Sequence, residues 1–263
     1  MENLDIIIIA GQSNAVGCTY VNTLDESKRF YFAPHVYLYE EGNFADYYTK
    51  RIIKGITCNM GNCDFQMGIE YGISYVLNKE FPKTTIGLIR YAYGGTTLYN
   101  HWKTDYVGEP EGSEDYGTCY YHFKKTIING IEAYKRAGYN PTIRGMVWMQ
   151  GETDAVDKKK AACYKENLEI LLKEFREFLR IPDLKIIVGE IATQAPSAPY
   201  SNEVRRIQRE VCGENINNIF MSTKGIKIGH DTYHFDGNED FILGKRFGKQ
   251  VVKLLTGNQS GRK

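Results

Sequence analysis

Leu4-Asp5-Ile6-Ile7-Ile8-Ile9-Ala10 runs directly into Gly11-Gln12-Ser13-Asn14. A short, continuously apolar, β-branched run of this kind reads as a strand buried on both faces, and Gly11 ends it. Such a strand needs a layer above and a layer below it. The rest of the chain supplies both. Strands are predicted at Leu4–Ala10, Thr85–Tyr91, Ile143–Met149, Lys185–Ile191 and Ile216–Met221, with another short one at His35–Tyr39. Between them, helical spacing and Gly or Pro stops predict helices at Gln66–Phe81, Tyr120–Ala137, Lys158–Leu179, Asn202–Cys212 and Glu239–Leu255. This alternation predicts βαβ units: a mostly parallel sheet of roughly five strands in a three-layer α/β/α sandwich. Residues 1–256 read as one domain and 257–263 as a frayed tail. The irregular, polar stretches Val21–Lys54 and Lys103–Gly117 read as loops over a site.

Composition excludes some classes of function. Lys and Arg number 33 and Asp and Glu 32, so there is no broad electrostatic grip for nucleic acid or an anionic membrane. The 263 residues suffice for a sizeable core without covalent staples. The six cysteines, at 18, 58, 63, 119, 163 and 212, form no C-x-x-C pair and have no histidine spaced for zinc. They predict free thiols, with room for one bridge among Cys18, Cys58 and Cys63. Met1-Glu2-Asn3-Leu4-Asp5 lacks a basic region, and the apolar run after it is too short for a signal or membrane segment. The expectation is a soluble, cytoplasmic chain, or a secreted one if a leader was removed. Twenty tyrosines suit either a wet, sugar-binding cleft or half-buried surfaces.

In open parallel sheets, ligands bind beyond the carboxyl ends of the strands. Four polar clusters follow the predicted strands: Gly11-Gln12-Ser13-Asn14, Tyr93-Gly94-Gly95-Thr96-Thr97, Gln150-Gly151-Glu152-Thr153-Asp154 and His230-Asp231-Thr232-Tyr233-His234. Together they hold the parts of an acyl-transfer site. Ser13 is the candidate nucleophile, and His234 is the base that would take its proton. Asp231, three residues earlier, would fix the imidazole tautomer. The backbone N–H groups of Ser13 and Gly94, with the Gln150 amide, are candidate oxyanion donors. His230 is the rival base, but Lys227 stands where its acid partner would be.

The blander readings are specific too. Ser13 alone could be a helix cap, and Asp231 a turn residue. Asn14 reads equally as bonding within its own turn, and Glu152 with Asp154 as support for a loop. A glycosidase would need such carboxylates on opposite sides of a sugar. Trp102 reads equally as a sugar-site wall or as core, and Trp148 as core. Gly94-Gly95-Thr96-Thr97 lacks the G-K-[ST] ending of a phosphate loop. Ser13 precedes Ala15 rather than Gly, so it does not fit G-x-S-x-G.

Taken together, G-Q-S-N after the first strand, Gly94-Gly95-Thr96, Trp148-Met149-Gln150-Gly151-Glu152-Thr153-Asp154 and Asp231-Thr232-Tyr233-His234 resemble the SGNH (GDSL-like) hydrolase superfamily. The similarity is to the branch of carbohydrate esterase family 6 and sialate O-acetylesterase-type domains, and it spans residues 11 to 234. The resemblance implies a flavodoxin-like fold and cofactor-free, metal-free removal of O-acetyl groups from carbohydrate. It implies Ser13, Asp231 and His234 as the triad. Ser13, Gly94 and Gln150 would form the oxyanion hole, Gly95 being the neighbouring candidate and Gln150 standing where the wider superfamily often has Asn. One departure is Phe235-Asp236-Gly237 after the base, where the family often has proline or a small residue. Two other expectations remain: a lipid or thioester hydrolase of the same fold, or a non-catalytic carbohydrate-binding relative.

Overall fold

The computed structural model describes residues 1–41, 51–63, 65–110, 112 and 115–257. In chain order the elements are β1 (Glu2–Gly11), α1 (Ser13–Val16), β2 (Thr19–Tyr20), α2 (Glu26–Arg29), β3 (Ala33–Glu40), β4 (Arg51–Ile56), β5 (Gln66–Met67), α3 (Ile69–Glu80), β6 (Ile86–Ala92), α4 (Thr118–Arg136), β7 (Tyr139–Met149), α5 (Lys158–Ala162), α6 (Tyr164–Leu179), β8 (Ile186–Gly189), α7 (Ser201–Glu214), β9 (Asn218–Met221) and α8 (Gly237–Gly257). The main sheet has seven strands in the order β4-β3-β6-β1-β7-β8-β9. Among the described residues of this sheet only β4 runs antiparallel to its neighbour.

The fold is the expected α/β sandwich, with a wider sheet than the five strands predicted. The extra strands are β3, foreshadowed at His35–Tyr39, and β4 at the edge. Both fall in the stretch read as polar loop. β4 is visible to water along Arg51–Lys54, so it lacks the apolar continuity that marks a central strand. The remainder of that stretch, 42–50, lies outside the described residues, as do 258–263 of the predicted tail; Gly257 closes α8. The helix predicted as Lys158–Leu179 is two helices, α5 and α6, meeting at Cys163. All six cysteines carry free thiols.

β1 explains why the sandwich closes. Ile6 through Ile9 are fully buried, and side chains alternate faces along a strand. Ile6, Ile8 and Ala10 therefore join the core beneath α4, α6 and α7, with Phe123, Phe175 and Trp148. Ile7 and Ile9 join the core beneath α3 and α8, with Ile73, Phe241 and Phe247. Each buried isoleucine is worth on the order of 1.5–3 kcal/mol relative to exposure.

The register around β1 sets the site. Gly11 pairs with Ala92 on one side and with Met149 on the other. The ladders continue one step further, with Gln12 N donating to Met149 O at 2.9 Å and Tyr93 N to Gly11 O at 3.1 Å. Three chain segments therefore leave the sheet at one level: Gln12-Ser13, Tyr93-Gly94 and Gln150-Gly151. Gly11 has φ +146°, and a Cβ there would stand 1.9 Å from the Met149 carbonyl oxygen. Only glycine allows the three strand ends to converge this closely.

Candidate active site

Ser13 is the first residue of α1, a single turn that starts right at the end of β1. The first N–H groups of a helix have no intrahelical acceptor, so this turn presents a serine hydroxyl beside backbone donors. Ser13 is 6% exposed. Gly94 lies against it: a Cβ on Gly94 would stand 3.6 Å from Ser13 Cβ. Gly95, at φ +73°, faces open space with nothing within 4 Å of a Cβ. Of the two candidates, Gly94 is the one beside the serine.

The His234 imidazole stands in the loop between β9 and α8. His234 Nδ1 and Asp231 Oδ2 are 2.5 Å apart. Asp231 Oδ1 also accepts from the backbone N–H of Tyr233 at 2.9 Å and of His234 at 2.7 Å. Burial works to raise the Asp231 carboxyl, but these donors and the imidazole outweigh it and hold the group below the ordinary aspartate range. Asp231 thus stays anionic and leaves His234 Nε2 as the nitrogen that can exchange a proton. The acid pairs with His234 and not with His230.

The loop is held by its carbonyls. Thr232 O accepts from Thr193 Oγ1 at 2.8 Å and Gln194 N at 3.1 Å. Tyr233 O accepts from Asn14 Nδ2 at 3.1 Å. Phe235 O accepts from Thr19 Oγ1 at 2.8 Å. Asn14 lies within α1 and Thr19 in β2 just after it, so the base loop is bonded to the serine-bearing turn and to the strand that follows it. Thr19 and Thr193 escaped the sequence reading, because a side chain reaching a distant carbonyl leaves no local pattern, and so did Gln194, whose backbone N–H does the same.

One expected role needs correction, and for Trp102 the geometry favours one of two equal readings. Gln150 is fully buried, and its Nε2 donates to Thr96 O at 3.0 Å and to Asp154 Oδ2 at 2.6 Å. A side-chain amide has two N–H donors, and here both are engaged, so Gln150 does not serve as an oxyanion donor. It ties the Gly94–Thr97 turn to the segment after β7 instead. Trp102 is 1% exposed and packs edge-on against Trp148 at 4.8 Å. Its Nε1 donates to Thr96 Oγ1 at 3.1 Å. It is core that braces the same turn, not a wall of a sugar site.

Two buried carboxylates complete the scaffold. Asp154 accepts from Leu98 N at 3.0 Å, Tyr99 N at 3.2 Å and Gln150. Burial lifts its carboxyl to about 6 against these donors. Glu152 accepts from Asn14 Nδ2 at 2.6 Å, and burial raises it too. The loop-support reading of Glu152 and Asp154 fits this geometry, whereas Asn14, expected to bond within its own turn, bonds Glu152 and the Tyr233 carbonyl instead. Among the described residues no cluster of three or more His, Cys, Asp or Glu is placed to hold a metal ion.

A mostly parallel sheet between helix layers, with the serine-bearing turn tied through Asn14 and Thr19 to the loop of the Asp–His pair, is the arrangement of the SGNH-like hydrolase fold. The model of the family described as "Carbohydrate esterase, sialic acid-specific acetylesterase" matches residues 3–253, and the chain belongs to that family. A probable carbohydrate esterase of Arabidopsis thaliana is 26% identical over 182 residues, covering 69% of this chain and 61% of the relative. The chain thus spans about three-fifths of that curated relative's length. The solved structure of that Arabidopsis protein superposes with a TM-score of 0.72 at 20% identity, covering 95% of this chain and 98% of the other. NanS gives 0.70 at 16% identity, covering 97% and 98%. Axe2, an acetylxylan esterase from Geobacillus stearothermophilus, gives 0.51 at 14% identity, covering 95% and 94%.

Proposed function

We propose that this protein is a serine esterase that removes O-acetyl groups from carbohydrate through an acyl-enzyme on Ser13. The observation that carries the reading is the Asp231–His234 pair, whose loop is bonded at Tyr233 O to Asn14 in the Ser13 turn and at Phe235 O to Thr19 just after it. His234 Nε2 takes the Ser13 hydroxyl proton as Oγ attacks the acetyl carbonyl carbon. The oxyanion forms beside the backbone N–H groups of Ser13 and Gly94. His234 returns the proton to the departing sugar oxygen, the C–O ester bond breaks, and Ser13 carries the acetyl group. Water, deprotonated by His234, attacks the acyl-enzyme and releases acetate and free Ser13.

The family description and the carbohydrate esterase names of its relatives support a saccharide substrate of sialate or xylan type. The test is acetate release from O-acetylated sialic acid, acetylated xylo-oligosaccharide and an aryl acetate, by wild type and Ser13→Ala. Loss of hydrolysis in the variant with an unchanged melting temperature is expected, together with a preference for acetyl over longer acyl groups. A Ser13→Ala variant at near-native rate overturns the assignment. A preference for long acyl chains or thioesters moves it to a lipid or thioester hydrolase. Wild type that binds the saccharides without cleaving them is a carbohydrate-binding relative.

A further inference from the structure

We infer that Tyr20 and Phe65 form a stacking platform for a pyranose ring of the substrate, at the mouth of the Ser13 site. This rests on the acetylesterase reading above and adds a saccharide-binding subsite to it. Tyr20 is 55% exposed and Phe65 62%. Their rings are parallel to within 2°, with centroids 6.2 Å apart. Most aromatic rings of this chain are packed into the two cores. Two large rings held parallel and left in water forgo burial, which marks a recognition surface.

Their placement is fixed by backbone. β2 pairs antiparallel with β5, Thr19 opposite Met67 and Tyr20 opposite Gln66. Val21 N donates to Phe65 O at 3.0 Å. β2 starts three residues after α1 ends, and β5 stops one residue short of Gly68, the cap of α3. Thr19, inward-facing and buried, bonds the carbonyl of Phe235, the neighbour of His234. Successive side chains on a strand point to opposite faces, so Tyr20 points outward where Thr19 reaches the base loop. The ribbon that carries the pair thus follows directly on α1, which bears Ser13, and is bonded through Thr19 to the loop that bears His234.

The chemistry favours a sugar over an acyl chain. A pyranose presents an apolar C–H face ringed by hydroxyls. The C–H face suits the negative face of an aromatic ring, and the hydroxyl rim needs polar neighbours. The rings rise from exposed polar residues, Asn22, Thr23 and Asn62. An acyl chain would need an enclosed apolar groove instead.

The experiment compares wild type with Tyr20→Ala, Phe65→Ala, the double variant and the conservative Tyr20→Phe. The substrates are an aryl acetate, an aryl butyrate and whichever of acetylated xylo-oligosaccharide and O-acetylated sialic acid wild type cleaves faster. The platform predicts a rise of about tenfold in KM for the saccharide in each alanine variant, the size of one stacking contact. It predicts near-native KM for Tyr20→Phe and aryl acetate kinetics within about twofold of wild type throughout. Saccharide KM unchanged in the double variant, while wild type cleaves the saccharide, overturns the platform and leaves the esterase standing. An equal loss on both acetates assigns the rings to packing, and a loss confined to aryl butyrate assigns them to an acyl chain; either overturns it. Wild type inert toward every acetate overturns the platform together with the function it rests on.

Discussion

Asn14 Nδ2 lies 2.6 Å from Glu152 Oε1, and Glu152 is fully buried. The same amide donates to Tyr233 O at 3.1 Å. One side chain thus joins three segments distant in sequence: the serine turn, the segment after β7 and the base loop. Glu152 Oε2 is buried without a hydrogen-bond partner, so Asn14 is the side-chain donor on which this carboxylate depends.

Asn14→Ala strands that carboxylate. A buried polar group deprived of its donor costs about 1–3 kcal/mol, and more when charged, so the variant should lose at least that much stability at pH 7. The loss should depend on pH. Burial already raises the folded-state pKa of Glu152 above the ordinary 4.5, and losing Asn14 raises it further. A raised carboxyl contributes stability that is present below its unfolded pKa and lost as pH rises through the folded pKa. The deficit of Asn14→Ala is therefore largest at neutral pH and shrinks toward pH 4.5. Urea denaturation at several pH values measures it, and Glu152→Gln added to Asn14→Ala should recover part of the loss.

Asp154 gives a second titration with a defined window. Its folded-state carboxyl is lifted by burial to about 6 from an ordinary 3.8. Its contribution is fully present below pH 3.8 and is lost as pH rises through 6. Asp154→Asn has no such proton to release. Melting temperatures of wild type minus Asp154→Asn should therefore fall as pH rises from about 4 to about 6.5 and then level off. A difference independent of pH would mean that Leu98 N, Tyr99 N and Gln150 hold the carboxyl near its ordinary value.

Gln150→Ala separates a scaffold from a catalytic donor. Removing a direct oxyanion donor costs about 10²–10³ in kcat and leaves stability nearly intact. The geometry predicts the reverse balance. Three buried side-chain hydrogen bonds are lost, to Thr96, Asp154 and Tyr164, and a cavity is left, so unfolding free energy should drop by about 2–4 kcal/mol. The kcat loss should stay below a hundredfold. Melting curves and aryl acetate kinetics on one preparation decide between the two.

The difficulty of reading Gln150 from sequence shows where legibility ends. β1, β6, β8 and the second half of β7 could be read because each is a buried run whose burial is written in consecutive residues, and β9 from its apolar residues although only its two ends are buried. Ser13, Gly94 and the Asp231–His234 pair could be placed because each lies just past a strand or within three residues of its partner. β4 could not, since an edge strand needs no apolar continuity. Gln150 was misassigned, and Trp102 left between sugar-site wall and core, for a related reason. Their roles are set by Thr96, which lies 54 residues from Gln150 and meets it only because β6 and β7 flank β1 in register. Nothing local to Gln150 reports that both its N–H donors are occupied.

Gly94 and Gly95 look interchangeable in sequence, and their alanine variants should behave differently. At Gly94 the backbone is not left-handed, and the nearest atom to a new Cβ is Ser13 Cβ at 3.6 Å, an ordinary contact. Gly94→Ala should therefore fold with a stability change within about 0.5 kcal/mol, as for substitutions away from strained or packed sites. Its methyl group would fill the space beside the serine where an acetyl carbonyl must sit. The expected result is a loss of more than about tenfold in kcat/KM, the effect of misplacing a reacting group by an ångström or less. At Gly95 the situation inverts. Open space surrounds the Cβ, but φ is +73°, where a non-glycine residue costs about 1–2 kcal/mol. Gly95→Ala should lose that stability and keep most of its rate. Paired melting and rate measurements give four numbers. Gly94→Ala at full rate, or Gly95→Ala inactive at full stability, would move the oxyanion donor from Gly94 to its neighbour.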